Sequence, residues 1–183
     1  MKELLLVMLG AMVADNIAFT KLLGIVPIVG GKSTGKKAIV TGAFIALVML
    51  LAAAVCWPLQ EYLLKGKLEF LMLFAFTVAV LAIVCVLECV VKAACKESLG
   101  LYFPVIALNA AVLGLALMNA TESLGFAPAM FNALGAGLGY MLAMWVFAGV
   151  TDRIRQKYVP AAFRGVPVTV LAAGIVAMAF CAF

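Results

Sequence analysis

The chain has 183 residues, 68% apolar and 11% charged, where a soluble domain is nearer half apolar and a quarter charged. Its roughly 124 apolar residues match the roughly 120 needed by six bilayer crossings of about 20 residues each, which excludes a soluble fold. Histidine is absent, which excludes His-ligated haem, His-bound zinc or copper, a Ser-His-Asp triad and a His proton relay, and the net charge of +5 reads as cytoplasmic positive bias, not a nucleic-acid surface.

The first apolar segment, 4–31, is long enough to cross but carries Asp15 and Lys21 within it. A cleavable signal peptide is not expected, since Lys2 is offset by Glu3 and the apolar run continues past Asp15. Stretches free of Asp, Glu, Lys and Arg follow at 38–60, 70–87, 98–121, 123–151 and 165–183. Each is expected to span as a helix, because lipid leaves no open strand edge satisfied. The five cysteines are odd in number, and Cys56, Cys85, Cys89 and Cys181 lie inside apolar stretches, so no disulfide framework is expected.

Six crossings place the loops at 24–37, 92–98 and 151–166 on one side. Ten Lys and Arg fall there, Lys21 included, against Lys2, Lys65 and Lys67 on the other. The bias predicts a bacterial cytoplasmic membrane protein with both termini outside the cytoplasm. Trp57 and Tyr62 are then expected at the outer interface. In the fifth crossing Gly135, Gly137 and Gly139 alternate, and Gly135 and Gly139, four apart, predict close helix contact.

Division near Cys95 leaves three crossings in each of two halves, 1–95 and 96–183, which therefore enter the membrane in opposite directions. The expected fold is one all-α membrane domain over 1–183, two inverted three-helix repeats with segments 1 and 4 broken. Segment 1 carries Asp15-Asn16, Gly24, Pro27, Gly30 and Gly31; segment 4 carries Pro104, Asn109 and Gly114. At 1.5 Å per residue, Asp15 lies roughly 16 Å below Leu4 and Asn109 roughly 15 Å in from Leu99, so Asp15, Asn16 and Asn109 are expected near the midplane. A carboxylate there requires a partner, a proton or a water-filled path. An ion path and a polar knot that fixes helix register both fit the three residues.

Lys21 and Glu88 are secondary candidates. Lys21 has a stem long enough to reach the cytoplasmic interface, and Glu88 precedes Lys92 in the favourable i, i+4 order. Cys85 and Cys89 share a helical face but have no second pair at ligand spacing, so they read as packing residues.

The run Lys21-Leu22-Leu23-Gly24-Ile25-Val26-Pro27 resembles the K-x-L-G-[IL]-C-P run of the A-type component of the Rnf (Rsx) ion-translocating electron-transport complex. LGLYFPVIALNAAVLGLALMN at 99–119 and the terminal VPAAFRGVPVTVLAAGIVAMAF are similar to further stretches of that family, and Glu88 sits where the family has a glutamate. The resemblance implies a membrane core component that couples ferredoxin/NAD electron transfer to Na⁺ or H⁺ movement. It also implies an inverted six-helix partner of the Rnf E type and a [2Fe-2S] cluster shared with it. The family's two cluster cysteines match Val26 and Ala110, neither of which can ligate iron. Two alternatives stay open: the sister E-type component of the sodium-pumping NADH:quinone reductase, and a standalone six-helix transporter or substrate-capture protein for a small solute.

Overall fold

A computed structural model describes residues 2–13, 15–21, 23–24, 35–64, 69–94, 109–154 and 156–180. Every regular element among them is helical, as expected where backbone N–H and C=O groups must be satisfied within their own segment. In chain order the α-helices are α1 (Lys2–Val13), α2 (Ile17–Thr20), α3 (Gly35–Leu59), α4 (Met72–Ala94), α5 (Ala110–Thr121), α6 (Phe126–Arg153) and α7 (Val166–Phe180). A π-helical turn, Gln60–Leu64, continues α3 just after Pro58.

Four stretches are long and apolar enough to cross a bilayer: Lys2–Thr20, Ala38–Leu63, Glu69–Ala93 and Phe126–Arg153. Helices α5 and α7 have 12 and 15 residues and extend only about 18 and 22 Å, short of a hydrocarbon core about 30 Å thick. Residues 98–108, expected to form the first half of the fourth crossing, lie outside the described residues.

Helix α6 is the post around which the others stand, with α1 and α3 packed along it. Its buried face mixes small residues, Ala129, Ala133, Ala136, Ala143 and Ala148, with the large Tyr140, Met144 and Phe147. Large apolar residues such as Leu73, Phe74, Val86, Trp145 and Ile175 are exposed. Such an apolar surface suits a lipid solvent, in which leucine gains nothing by leaving the surface and helices associate through close van der Waals contact.

The glycine spacing divides the work. At 100° per residue, positions 135 and 139 share a face and 137 points almost opposite. A Cβ at Gly135 would lie 3.0 Å from Met8 Cα and one at Gly139 2.7 Å from the Met12 carbonyl oxygen, both on α1, whereas one at Gly137 would lie 2.9 Å from Ala46 Cβ on α3. Close helix contact, expected from the spacing, is what the three glycines provide, on two faces.

At one end, Trp57 Nε1 donates to the Leu124 carbonyl at 2.9 Å and Gln60 Nε2 to the Ala120 carbonyl at 2.9 Å, tying α3 to the α5–α6 turn. The Trp57 ring meets Phe126 edge-on with centroids 5.3 Å apart. Tyr62 is exposed.

On α4, Glu88 and Lys92 form the expected pair at 2.6 Å, on an exposed stretch of helix. Exposed pairs of this kind contribute little. Glu88→Gln is therefore expected to leave the thermal unfolding midpoint of the purified protein unchanged, as read by tryptophan fluorescence in detergent.

Candidate functional site

The first helix ends where a polar side chain offers the backbone a competing partner. The Asp15 N–H closes α1 with a wide turn onto the Gly10 carbonyl at 2.8 Å, and Asn16 then caps α2. Its Oδ1 accepts from the Ala18 N–H at 3.1 Å, while Nδ2 donates to the Met12 carbonyl at 3.1 Å and the Gly139 carbonyl at 2.9 Å. Asn109 does the same for α5, with Oδ1 accepting from the Ala111 N–H at 2.9 Å. The two caps share one backbone conformation, φ −63 and ψ 109 at Asn16 against φ −73 and ψ 112 at Asn109, which is the preferred geometry for an Asn N-cap.

Both amides reach α6, on consecutive residues. Asn16 takes Gly139; Asn109 Nδ2 donates to Tyr140 Oη at 3.1 Å, and that hydroxyl donates in turn to the Gly24 carbonyl. Asn16, Asn109 and Tyr140 are 2%, 4% and 0% exposed, and no buried side-chain nitrogen or oxygen among the described residues lacks a partner. Such complete pairing is what makes buried polar groups tolerable in a low-dielectric interior. Gly24 permits the close approach: its φ is +75, and a Cβ there would strike Asn109 Oδ1 and stand 2.8 Å from Ala111 Cβ.

The polar residues at the two helix starts therefore separate into two sets. Asn16 and Asn109 lie within the core at one level of α6, whereas Asp15 is exposed and borders a cavity of about 340 Å³ between α1, α2, α5 and α6. Lys21, Glu122, Asn132 and Met118 border the same cavity. Lys21 Nζ lies 3.1 Å from Met118 Sδ, and none of Asp15, Lys21 and Glu122 is in an ion pair among the described residues. Asn132 Nδ2 donates to Asn119 Oδ1 at 2.6 Å.

Lys21 does not stand on a straight continuation of α1. The helix stops at Val13, and after α2 the chain folds back so that the Leu23 N–H meets the Ile17 carbonyl at 3.3 Å. Lys21 is thereby brought against α5, one turn before Glu122. Glu88 stays apart on α4 with Lys92. Val26 lies outside the described residues. Ala110 opens α5 and is exposed.

Tyr140, Glu122 and Asn132 join these sites without having been expected. Tyr140 had one legible signal, a hydroxyl in an apolar helix directly after the glycine series, which requires a partner. Glu122 and Asn132 carried none, because only the fold brings them to Asp15.

The whole sequence decides what kind of protein carries this arrangement. Residues 4–183 match the family described as Rnf-Nqr subunit, membrane protein. The chain belongs to the Rnf-Nqr family. Among relatives in that family it is similar to the A component of the ion-translocating oxidoreductase complex of Syntrophotalea carbinolica, 35% identical over 187 residues that cover 100% of this chain and 97% of the relative. It is 35% identical over 184 residues to the A component of the Na(+)-translocating ferredoxin:NAD(+) oxidoreductase complex of Acetobacterium woodii, covering 98% and 96%. The A component of the ion-translocating oxidoreductase complex of Rhodobacter capsulatus is 34% identical over 187 residues, covering 100% and 97%.

Proposed function

We propose that this Rnf-Nqr chain is the membrane core subunit of an Rnf-type complex that couples ferredoxin/NAD electron transfer to Na⁺ or H⁺ movement, and that the Asp15 cavity is its part of the ion path. The observation that carries the proposal is the cavity itself. Two carboxylates, Asp15 and Glu122, and the Lys21 ammonium border one space of about 340 Å³ in an otherwise apolar bundle. Charges inside a membrane protein are expensive unless they face water or one another, and this space has room for on the order of ten waters.

The wider architecture follows from the same reading. Six crossings form two inverted halves, 1–95 and 96–183, each with an Asn-capped helix start, in the bacterial cytoplasmic membrane with both termini outside the cytoplasm. The matched geometry of Asn16 and Asn109 supports the repeat, and the distribution of Lys and Arg, nine against three once Lys21 is set aside, supports the orientation. An inverted six-helix protein of the Rnf E type is the proposed partner.

Asp15→Asn keeps the shape of the cavity and removes its charge. In vesicles carrying the complex, ferredoxin-dependent uptake of ²²Na⁺, or acidification for a proton pump, is expected to fall about tenfold, the change that about 1.4 kcal/mol in ion occupancy produces. Unchanged uptake, with complex assembly intact, counts against Asp15 in the path.

A further inference from the structure

The resemblance implies a metal clamp, one thiolate from each helix-start segment holding a [2Fe-2S] cluster between them. The residues present do not fit that group. Ala110 offers a methyl group at the exposed start of α5 and Val26 an isopropyl group, and neither has a lone pair to give iron. The other described thiols do not stand in. Cys56 is buried with Phe76, Ala116 and Ala120, and Ala116 is about 9 Å along α5 from Ala110. Cys85 and Cys89 are on exposed positions of α4. Among the described residues, no group of three or more His, Cys, Asp or Glu side chains can hold a metal ion.

A different link joins the two segments. The Tyr140 hydroxyl accepts from Asn109 Nδ2, one residue before Ala110, and donates to the carbonyl of Gly24, two residues before Val26. Gly24 rests directly on Asn109 and Ala111. The junction is thus closed by one phenol on a third helix, with every buried side-chain polar atom among the described residues paired. We infer that this chain supplies no ligand to an iron–sulfur cluster, and that the Asn109–Tyr140–Gly24 hydrogen-bond latch holds the turn after α2 against the start of α5 where a metal would otherwise clamp the two segments. The inference rests on the Rnf-type reading for its context, and it gives the chain a part in ion movement through which no cluster-borne electron passes.

The test uses the intact complex, purified with this chain either in native form or with all five cysteines replaced, Ser at 85 and 89 and Ala at 56, 95 and 181. Iron, acid-labile sulfide and the EPR spectrum of the dithionite-reduced complex are expected to be identical in the two preparations. Loss of about two irons and of a [2Fe-2S] signal in the cysteine-free variant overturns the inference. If that variant does not assemble, the five single replacements are read in the same way.

For the latch, Tyr140→Phe keeps the ring and removes the hydroxyl. It is expected to lower the thermal midpoint of the complex by about 2–4 °C, with no further fall on iron chelation, and to lower it by less in an Asn109→Ala background, where the Asn109–Tyr140 half of the link is already gone and only the bond to Gly24 remains to be lost. An unchanged midpoint in Tyr140→Phe, or full additivity of the two substitutions, overturns the latch. A chain that purifies alone counts against the Rnf-type reading; its own iron content still decides the cluster question.

Discussion

Alanine at both Gly135 and Gly139 is expected to undock α1 from α6, with a loss of stability of about 3 kcal/mol or more. Overpacking by single methyl groups typically costs about 1–3 kcal/mol each, and here the nearest atom to each methyl is α1 backbone, which cannot swing away. At 135 it meets the Met8 carbonyl carbon at 2.9 Å, and at 139 the Met12 carbonyl oxygen at 2.7 Å. The helix axes themselves must part. Because the same methyl at 139 stands 2.9 Å from Asn16 Nδ2, the cap of α2 is displaced as well, and with it the wall of the Asp15 cavity. Gly149 on the same helix provides the control: nothing lies within 4 Å of a Cβ there, so Gly149→Ala is expected to be neutral or to stabilise by about 0.5–1 kcal/mol through backbone entropy. Unfolding of the purified protein in mixed micelles by added SDS measures all three. A stable double variant would remove the close α1–α6 contact from the account of this fold.

Gly24→Ala carries the second large effect, about 3 kcal/mol, from two separable sources. A non-glycine residue at φ +75 bears left-handed backbone strain of about 1–2 kcal/mol. The remainder comes from collision of the new methyl with Asn109 Oδ1, Ala111 Cβ and the Tyr140 ring. Relief of that collision pulls Asn109 off the Ala111 N–H, so the start of α5 loses its cap, itself a contribution of about 1 kcal/mol. Gly165 isolates the strain: its φ is +84, with nothing within 4 Å of a Cβ. Gly165→Ala is expected to show only about 1–2 kcal/mol in the same unfolding measurement. Equal effects at the two glycines would mean that the Gly24–Asn109 contact contributes no stability.

Local signals were legible wherever a short-range rule governs. Asn16 and Asn109 stand at helix starts, as residues that compete with the helical backbone should. The 135–137–139 spacing foretold close contact, and the Glu88–Lys92 order foretold an i, i+4 pair. That Asn16 and Asn109 meet consecutive residues of α6 is a fact of docking, which a count along each segment does not contain. Lys21 was read from the reach of its stem, which does not name its neighbours; the end of α1 at Val13 and the turn after α2 set it beside Met118. Nothing local could have paired Asn109 with Tyr140 or gathered Glu122 and Asn132 around Asp15, for those neighbours depend on how separate helices dock.

By itself, the amino-acid sequence determined that this is an apolar helical membrane protein of the Rnf-Nqr family, that asparagines which compete with the helical backbone stand at 16 and 109, and that no thiolate stands at positions 26 and 110. Those properties follow from side-chain chemistry and from hydrogen bonds that span a few residues. The tertiary structure alone decided that both asparagines converge on Gly139 and Tyr140, that Gly24 closes onto Asn109, and that Asp15, Lys21 and Glu122 share one cavity. In lipid, helices choose their neighbours by how closely small residues let backbones approach, and that fit is a property of two surfaces together.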